Sequence, residues 1–308
     1  MPRARPSRQG CASEKPLDGR IVADFGHHVL VEDAARHVHP CTVRKRKLRA
    51  VCGDRVRWQA GLHGERGIVE SLLPRINALT RPDSRGRPDT LAANLDQLII
   101  VCAVAPPLDA NLIDRYLMAA AAMDAAAVIV CNKIELAAAS AAGAGEETLV
   151  EYAAVPYPVV RTSVATGQGL ERLAALSRAR TSVLVGQSGV GKSSLLNALC
   201  QHSGAAVGAV SARSGEGTHT TSASRLYSLP GGGEIIDSPG VREYTPYLER
   251  DWNPSAGFPE FVEPARSCRF RNCRHLNEPG CGVKAAVDRA QISTRRYASY
   301  RVLAGEAG

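Results

Sequence analysis

The sequence predicts a multidomain protein with an N-terminal β-barrel, a central α/β domain and a small, mostly helical C-terminal domain. Three observations support this. Short strand-like segments fill residues 18–80, strands alternate with helices over 81–245, and cysteines cluster within 246–308. A chain of 308 residues has room for about two or three domains. Residues 1–17 are expected to form a disordered basic tail.

The composition argues against secreted and membrane-spanning classes of protein. Hydrophobic residues make up 44% of the chain and charged residues 22%, the profile of a globular protein with buried cores. No apolar segment follows the basic start "MPRARPSRQG", and Asp124 interrupts the longest apolar stretch. We therefore expect no signal peptide and no membrane span, and a cytoplasmic protein without a membrane partner. A monomer is a separate expectation that the composition does not decide.

The positive charge is concentrated at the two ends of the chain. The net charge is +8 over residues 1–81, −5 over 82–262 and +5 over 263–308. Clustered Lys and Arg bind a phosphate backbone because they release its condensed counterions. For any one cluster, a solvated surface is the alternative. The residues of the densest cluster, which we expect to contact RNA, are Arg44, Lys45, Arg46, Lys47 and Arg49.

The first domain has the strand pattern of a small barrel. "GRIVADFGHHVLVED" predicts two strands around Gly26, "TVRKRKLRAVCGDRVRWQ" predicts two more, and "RGIVESLLPR" predicts a fifth. Five short strands favour a Greek-key barrel, and the OB-fold is the barrel of this kind that binds nucleic acid. The polar segment Thr80–Thr90, rich in Pro, Gly and Arg, is expected to link this barrel to the next domain.

In the second domain the pattern changes to alternating strands and helices. "DQLIIVCAV", "AAAVIVCNK", "YPVVRTS" and "TSVLVG" predict strands. "NLIDRYLMAAAAM", "GLERLAAL" and "GKSSLLNAL" predict helices. This alternation predicts a doubly wound α/β domain with a mostly parallel sheet.

The strongest motif is "GQSGVGKSS", which follows a predicted strand and begins a predicted helix. It matches G-x-x-x-x-G-K-S, a loop whose backbone N–H groups surround a phosphate at a helix N-terminus. We expect Lys192 to bridge the β- and γ-phosphates during catalysis and the Ser193 hydroxyl to ligate Mg²⁺. The predicted nucleotide-binding residues of this loop are Gly186, Gln187, Ser188, Gly189, Val190, Gly191, Lys192, Ser193 and Ser194.

A second group of motifs points to guanine as the base. "NKIE" ends an apolar strand, at the edge of the sheet where α/β domains bind ligands. Asn132 would bond the guanine edge, the Lys133 stem would pack over the ring, and the Glu135 carboxylate would accept the guanine N–H donors. Ile134 lies in the same loop. "RTSVATGQG" follows the next strand and would support the base through Ser163.

Two further segments predict groups around the γ-phosphate. "EIIDSPGV" is an apolar strand ending in D-x-P-G, so Asp237 would hold a Mg²⁺-bound water and the Gly240 N–H would sense the γ-phosphate. "GEGTHTTSASRLY" contains Thr220 and Thr221, either of which would complete the Mg²⁺ shell. Thr221 is our assignment, both as ligand and as catalytic residue.

His219 is the candidate for positioning the attacking water. Val241 follows D-x-P-G, and a valine side chain cannot orient water by hydrogen bonding. A neutral imidazole beside the threonines would orient or deprotonate that water. The alternative is that His219 only packs the loop or contacts RNA.

The order of these motifs is rotated relative to an ordinary GTPase. Here the base-reading loop precedes the phosphate loop, and D-x-P-G comes last. Joining the old termini near "LSRARTSV" and opening new ones elsewhere produces this order, which compact domains with adjacent surface termini tolerate. The sequence therefore predicts a circularly permuted GTPase whose C-terminal neighbour is tethered to the γ-phosphate-sensing loop.

The C-terminal segment "CRFRNCRHLNEPGC" predicts a metal site. Cys268, Cys273, His275 and Cys281 supply three thiolates and one imidazole, the ligand set of a closed, structural Zn²⁺ site. A disulfide pair or a chance cluster is the alternative. The six other cysteines are expected to be small buried or half-buried residues; they are Cys11, Cys41, Cys52, Cys102, Cys131 and Cys200.

From about residue 18 onward the chain resembles the ribosome small-subunit-dependent GTPase family. The matching motifs are "GQSGVGKSS", "THTTSASRLY", "DSPGVRE", "NKIEL", "FPEF", "CRFRNCRHLNEPGC" and "RYASY". The resemblance implies an OB-fold, a permuted GTPase domain and a zinc domain that act late in maturation of the small ribosomal subunit. It implies that subunit and its rRNA as partners, hydrolysis of GTP to GDP with Mg²⁺, and one structural zinc ion. Glu135 stands where the family usually has Asp.

Two other functions are consistent with parts of the sequence. A P-loop kinase is disfavoured by the base-reading motifs and by D-x-P-G. An RNA-binding assembly protein that uses GTP only as a conformational switch is the stronger rival, because Val241 predicts slow intrinsic turnover. A stimulated hydrolysis rate distinguishes that rival from a GTPase.

Overall fold

The computed structural model describes residues 16–44, 48–61, 65–139, 143–201, 223–238 and 253–306. The strands in these ranges form one 11-stranded sheet and one two-stranded sheet. The larger sheet runs from the α/β domain into the barrel. Over the same ranges, no helix combines the length and the apolar character needed to cross a bilayer.

The N-terminal domain is a closed five-stranded barrel. Its strands are β1 (Leu17–Asp24), β2 (His28–Glu32), β3 (Val38–Val43), β4 (Arg55–Gln59) and β5 (Gly67–Leu72). They pair in the order β1-β2-β3-β5-β4, and β4 pairs with β1 to close the barrel. Only the β3–β5 pairing in the barrel is parallel. Ile21, Val31 and Trp58 fill its interior, which confirms the predicted OB-fold.

The third strand lies earlier in the chain than predicted. β3 follows a tight turn in which the Asp33 carboxylate accepts hydrogen bonds from the backbone N–H groups of Ala35 and His37. It ends at Val43, before the basic cluster. Arg44, the next residue, is exposed, so the cluster begins where the barrel strand stops.

Two of the five predicted RNA-contact residues fall within the described ranges. Arg44 and Arg49 are both exposed, and the Arg49 guanidinium lies 2.7 Å from the Asp89 carboxylate. Lys45, Arg46 and Lys47 lie outside the described residues.

The segment predicted as a linker is a β-hairpin. β6 (Ala78–Pro82) and β7 (Pro88–Ala93) pair antiparallel. In the turn, the Asp83 carboxylate accepts hydrogen bonds from the backbone N–H groups of Arg85 and Arg87. Polar, Pro- and Gly-rich composition is common to linkers and to hairpin turns, so the composition alone did not distinguish them. The apolar residues of this hairpin pack into the core of the α/β domain.

The α/β domain has the predicted alternation of strands and helices. Its elements are β8 (Gln97–Ala103), α1 (Ala110–Ala122), β9 (Ala126–Asn132), α2 (Gly143–Ala153), β10 (Val159–Arg161), α3 (Leu170–Leu176), β11 (Thr181–Val185), α4 (Lys192–Gln201), β12 (Ser224–Ser228) and β13 (Glu234–Asp237). The sheet order is β10-β9-β8-β11-β13-β12. All neighbours are parallel except β12 and β13. The carboxyl ends of the parallel strands therefore meet at one edge.

The barrel is joined to the α/β sheet through β12. Ala23 of β1 pairs with Arg225 of β12 in an antiparallel ladder. Ion pairs reinforce this contact, because the Glu234 carboxylate lies 2.6 Å from the Arg20 guanidinium and 2.9 Å from that of Arg36. Burial raises the pKa of Glu234, but the hydrogen bonds from both arginines outweigh it and hold that pKa below its usual value.

The C-terminal domain is mostly helical. It contains 3-10 turns at Pro254–Gly257 and Pro259–Phe261, then α5 (Val262–Ala265), α6 (Gly282–Asp288) and α7 (Thr294–Glu306). Phe258, Phe261 and Tyr300 form its aromatic core. Tyr297 and Tyr300 lie three residues apart on α7. Their hydroxyls donate to the backbone carbonyls of His275 and Arg274, so both serve the fold.

A buried ionic network holds this domain against the α/β domain. Arg296 of α7 is 1% exposed and pairs with Asp114 of α1, which is 0% exposed. Glu260 lies 2.7 Å from the Arg296 Nε, and the Tyr152 hydroxyl donates to Asp114 over 2.6 Å. Removing one partner of such a buried pair costs about 3–5 kcal/mol, so the two domains are firmly attached here.

Candidate nucleotide and metal sites

The phosphate loop joins β11 to α4 at the carboxyl edge of the sheet. Gly186 has a φ of 136°, and a Cβ there would lie 2.0 Å from the Val101 carbonyl oxygen. Gly191 has a φ of 92°, and its Cβ would lie 2.6 Å from the Asn132 Nδ2. Both glycines are therefore required by backbone conformation and by close approach. The loop is bent tightly against the neighbouring strands.

Lys192 occupies the base of this loop. The residue is 9% exposed, and its Nζ donates to the carbonyl oxygens of Gly186 at 2.6 Å and Gln187 at 2.7 Å. The ammonium group is thus held inside the curve of the loop. Val190 is fully buried, whereas Ser193 and Ser194 are exposed at the first turn of α4.

Asn132 connects the predicted base-reading loop to the phosphate loop. It ends β9, is 2% exposed, and donates through Nδ2 to the Val190 carbonyl oxygen at 3.0 Å. Its Oδ1 accepts from the Thr162 hydroxyl at 3.1 Å. Three loops, which follow β9, β10 and β11, therefore meet at one buried amide.

Lys133 makes a second connection between the same two loops. Its Nζ donates to the Gly189 carbonyl oxygen at 2.6 Å and to the Ala105 carbonyl oxygen at 2.9 Å. These bonds hold the lysine stem across the surface of the site. Sequence alone predicted that the stem would cover the base, but not that its ammonium group would close the phosphate loop.

The remaining base-loop residues occupy different environments. Glu135 is exposed in the 3-10 turn Ile134–Ala139. Ser163 is fully buried, and its hydroxyl accepts from the Thr166 N–H at 3.2 Å, which shapes the loop after β10. Thr162 was missed by sequence reasoning, although its place directly after a strand and beside Ser163 was the available signal.

The γ-phosphate side of the site is described in part. Asp237 ends β13, and the hydroxyl of the next residue, Ser238, lies 2.8 Å from that of Ser224. His219, Thr221 and Gly240 lie outside the described residues, as do Thr220 and Val241.

The predicted metal ligands converge in the C-terminal domain. The ligand atoms of Cys268, Cys273, His275 and Cys281 all lie within 4.8 Å of one another. The His275 Nδ1 is 3.6 Å from the Cys268 sulfur and 3.5 Å from the Cys281 sulfur. Corners of a tetrahedron with a Zn–S bond of about 2.3 Å lie roughly 3.8 Å apart. Three sulfurs and one nitrogen at this spacing fit a Zn²⁺ ion.

Backbone N–H groups donate hydrogen bonds to the sulfurs of this cluster, as they do to metal-bound thiolates. The Gly282 N–H donates to the Cys268 sulfur at 3.3 Å and the Lys284 N–H to the Cys281 sulfur at 3.5 Å. The Glu278 carboxylate accepts from the N–H groups of Arg274 and Leu276. These backbone bonds hold the pKa of Glu278 below its usual value and fix the turn between the second and fourth ligands.

A family model described as RsgA GTPase matches residues 72–246, more than half of the chain. The chain belongs to the RsgA GTPase family. The matched residues include the base-reading loop, the phosphate loop and D-x-P-G, so membership identifies the enzyme class as a GTPase.

Curated relatives match almost the whole chain. The small ribosomal subunit biogenesis GTPase RsgA of Dickeya dadantii (strain 3937) is 44% identical over 93% of this chain and 83% of its own length. The protein of that name from Azotobacter vinelandii (strain DJ / ATCC BAA-1303) is 43% identical over 92% and 84%. At this coverage the similarity extends beyond the GTPase domain into both flanking domains.

Two solved structures share the architecture. YjeQ from Thermotoga maritima superposes with a TM-score of 0.72 at 30% identity, covering 95% of this chain and 98% of that one. YloQ, described as a circularly permuted GTPase, gives 0.70 at 28% identity and covers 98% of both chains. This RsgA-family chain is therefore a circularly permuted GTPase, as its motif order predicted, and its N-terminal barrel is the OB-fold that the strand pattern predicted.

Proposed function

We propose that this protein binds GTP with Mg²⁺, hydrolyses it to GDP, and acts late in maturation of the small ribosomal subunit. The observation that supports the nucleotide best is the pair of bonds from Asn132 and Lys133 to the phosphate loop. They join the base-reading and phosphate-binding loops into one site. The names of the relatives support the ribosomal partner, which implies a cytoplasmic location. We propose a monomer with domain limits near residues 80 and 245.

The side chains around the phosphates have distinct proposed roles. Lys192, held inside the phosphate loop, would bind the β- and γ-phosphate oxygens. Ser193 and Thr221 would ligate Mg²⁺, which neutralises charge developing on the phosphates. Asp237 would orient a water of that shell, and the Gly240 N–H would bond the γ-phosphate, so that hydrolysis changes the segment leading to the C-terminal domain.

The exposed carboxylate of Glu135 is proposed to select guanine. It would accept the N1–H and the 2-amino group of the base, while Ser163 supports the loop behind it. Glu135→Asn should weaken GTP binding by roughly 10- to 100-fold, since hydrogen bonds to a charged group are worth about 1.5–3 kcal/mol. It should favour xanthosine triphosphate, whose 2-oxo group no longer faces a carboxylate. Competition with a fluorescent GDP analogue measures both effects.

Glu147→Asn is the matched control for this change. Glu147 is an exposed carboxylate on α2, so its replacement changes the charge but not the base-reading loop. Guanine preference should persist in that variant. Equal binding of GTP and ATP by the unaltered protein would contradict the proposed base-reading role.

His219 is proposed to orient the attacking water. His219→Ala should keep GTP affinity and subunit binding but lose subunit-stimulated turnover by about 10²–10⁴-fold, the range of positioned proton transfer. His219→Gln, which retains a hydrogen-bonding group, should recover part of that loss. Stimulated turnover that survives in the alanine variant would assign catalysis to the subunit or to a backbone group.

The basic cluster is proposed to contact rRNA. Replacing Arg44, Lys45, Arg46, Lys47 and Arg49 with alanine should weaken subunit binding. In a plot of the logarithm of the binding constant against the logarithm of the salt concentration, the magnitude of the slope should fall by roughly one unit for each phosphate group that the variant no longer neutralises. The control is the Arg85→Ala, Arg87→Ala pair, because these exposed arginines carry charge of the same sign on the hairpin turn. An unchanged salt slope in the cluster variant would mean that the cluster is only a solvated surface.

Co-sedimentation tests the ribosomal partner directly. The protein with a non-hydrolysable GTP analogue should sediment with small subunits, bind them more weakly with GDP, and not sediment with large subunits. Equal retention on both subunits, in either nucleotide state, would contradict the proposal. The rival function, an assembly protein without appreciable hydrolysis, is disfavoured because the family is one of GTPases.

A further inference from the structure

Two cysteines that are scattered in the sequence lie side by side in the fold. Cys102 of β8 and Cys131 of β9 are paired residues in the parallel ladder, and both are free thiols. Their side chains lie on the same face of the sheet, in one core cluster. Neighbouring strands lie about 4.7–4.9 Å apart, and a disulfide needs Cα atoms about 4.4–6.8 Å apart. The Cα separation that this register sets therefore falls within the range of a disulfide.

The pair lies directly beneath both loops of the proposed nucleotide site. Cys131 precedes Asn132, and its carbonyl oxygen accepts from the Thr162 N–H at 2.8 Å. Cys102 follows Val101, whose carbonyl oxygen lies against Gly186, the first glycine of the phosphate loop. A covalent change at the pair therefore acts within one residue of each loop.

A cavity gives small molecules a path to Cys131. Its volume is about 520 Å³, and it lies on the face of the sheet next to α1 and α2. Its lining includes Cys131, Val104, Ile134, Leu149 and Arg161. Arg161 forms an ion pair with Glu146 at the exposed rim. A peroxide enters a space of this size easily, although Cys131 itself is only 4% exposed.

The two thiols differ in character. The Cys102 thiol donates to the Val130 carbonyl oxygen at 3.4 Å. Interaction with the Cys102 side chain and the positive charge of Arg161 hold the pKa of Cys131 below its usual value despite burial. The same interaction and burial raise the pKa of Cys102. Since the thiolate is the nucleophile and the cavity is lined by Cys131 but not by Cys102, Cys131 is suited to attack the peroxide and Cys102 to complete the disulfide.

We propose that Cys102 and Cys131 form a reversible disulfide when the protein meets a hydroperoxide, and that this modification weakens guanine-nucleotide binding. The Cys131 thiolate attacks one peroxide oxygen and the O–O bond breaks. The other oxygen departs as hydroxide from hydrogen peroxide, or as alkoxide from an organic hydroperoxide, and Cys131 becomes a sulfenic acid. The Cys102 sulfur then attacks the Cys131 sulfur, forming the S–S bond. The sulfenic oxygen leaves with the Cys102 proton as water. The peroxide is reduced and the two thiols are oxidised, so electrons balance.

The expected loss of nucleotide affinity rests on the proposed function, whereas disulfide formation does not. The test therefore measures the disulfide and the nucleotide affinity separately. The full-length, zinc-loaded protein is treated with limiting hydrogen peroxide, alkylated and digested with trypsin, which cuts between the two cysteines at Arg115. A fluorescent GDP analogue is titrated before and after oxidation. Zinc release is followed in parallel, because the metal-site thiolates are also oxidisable.

We expect a linked Cys102–Cys131 peptide with zinc retained, and a several-fold loss of GDP-analogue affinity that dithiothreitol restores. Cys102→Ala should give no linked peptide and an affinity that peroxide does not change. Cys41→Ala should behave like the unaltered protein, because Cys41 is a buried barrel thiol whose pKa burial raises to about 11. Absence of the linked peptide at doses that release zinc would overturn the proposal. An equal loss of affinity in Cys102→Ala would overturn the link to nucleotide binding. Failure of the reduced protein to bind the analogue would instead refute the proposed function.

Discussion

Replacing Lys192 with alanine is expected to reduce GTP turnover by roughly 10³-fold or more, the scale on which one cationic group acts on a transferring phosphoryl group. The lysine Nζ donates to two carbonyl oxygens inside the phosphate loop, so the loop itself fixes the position of the charge. Alanine removes this positive charge from the place where negative charge develops on the phosphate oxygens in the transition state. Two measurements report the effect: the turnover rate at saturating GTP, and the affinity for a fluorescent GDP analogue.

Lys284→Ala is the matched control for Lys192→Ala. Lys284 lies on α6 in the C-terminal domain, and its contact to Cys281 uses the backbone N–H, which alanine retains. This variant should keep turnover and zinc. Undiminished turnover in a folded Lys192→Ala protein would refute the assignment of the phosphate loop.

Loss of the metal ligands is expected to unfold the C-terminal domain. Cys273→Ser or His275→Ala should abolish stoichiometric zinc, because a closed site needs all four ligands. Binding energy at such sites is folding energy, about 10–16 kcal/mol for structural Zn²⁺. The Tyr300 hydroxyl donates to the backbone carbonyl of Arg274, which lies between two of the metal ligands. Without the metal, the helical core around Phe261 and Tyr300 should become accessible to protease. Zinc analysis and limited proteolysis measure the outcome.

Cys200→Ser separates a metal effect from a general thiol effect. Cys200 is a buried cysteine of α4, outside the metal cluster, so its serine variant should retain zinc and protease resistance. A metal-free protein with an intact, protease-resistant C-terminal domain would contradict the structural role of zinc.

The phosphate loop and the metal cluster were predictable because local sequence determines them. Gly186 and Gly191 are required by backbone conformation and close approach, and the metal ligands lie within one short segment. The strands and helices of the α/β domain were predictable for a related reason, since buried parallel strands are apolar throughout.

Features that depend on tertiary contacts were not predictable. The Thr80–Thr90 hairpin has the composition of a linker, and only its packing against the α/β core reveals it. Thr162 became a site residue because β10 places it beside Asn132. The neighbouring positions of Cys102 and Cys131 follow from strand register across 29 residues. Tyr300 is a core residue because its ring is buried against Phe258 and Phe261, contacts that the spacing of residues along α7 does not reveal.

The rate of GTP hydrolysis with and without purified small ribosomal subunits tests the central claim most directly. Because Val241 cannot orient water, the protein alone should hydrolyse GTP slowly. Small subunits should raise that rate by roughly 10²-fold or more, in the range that positioned proton transfer supplies, while large subunits and ATP as substrate should give no increase. A rate that small subunits leave unchanged, or that large subunits raise equally, would contradict the account.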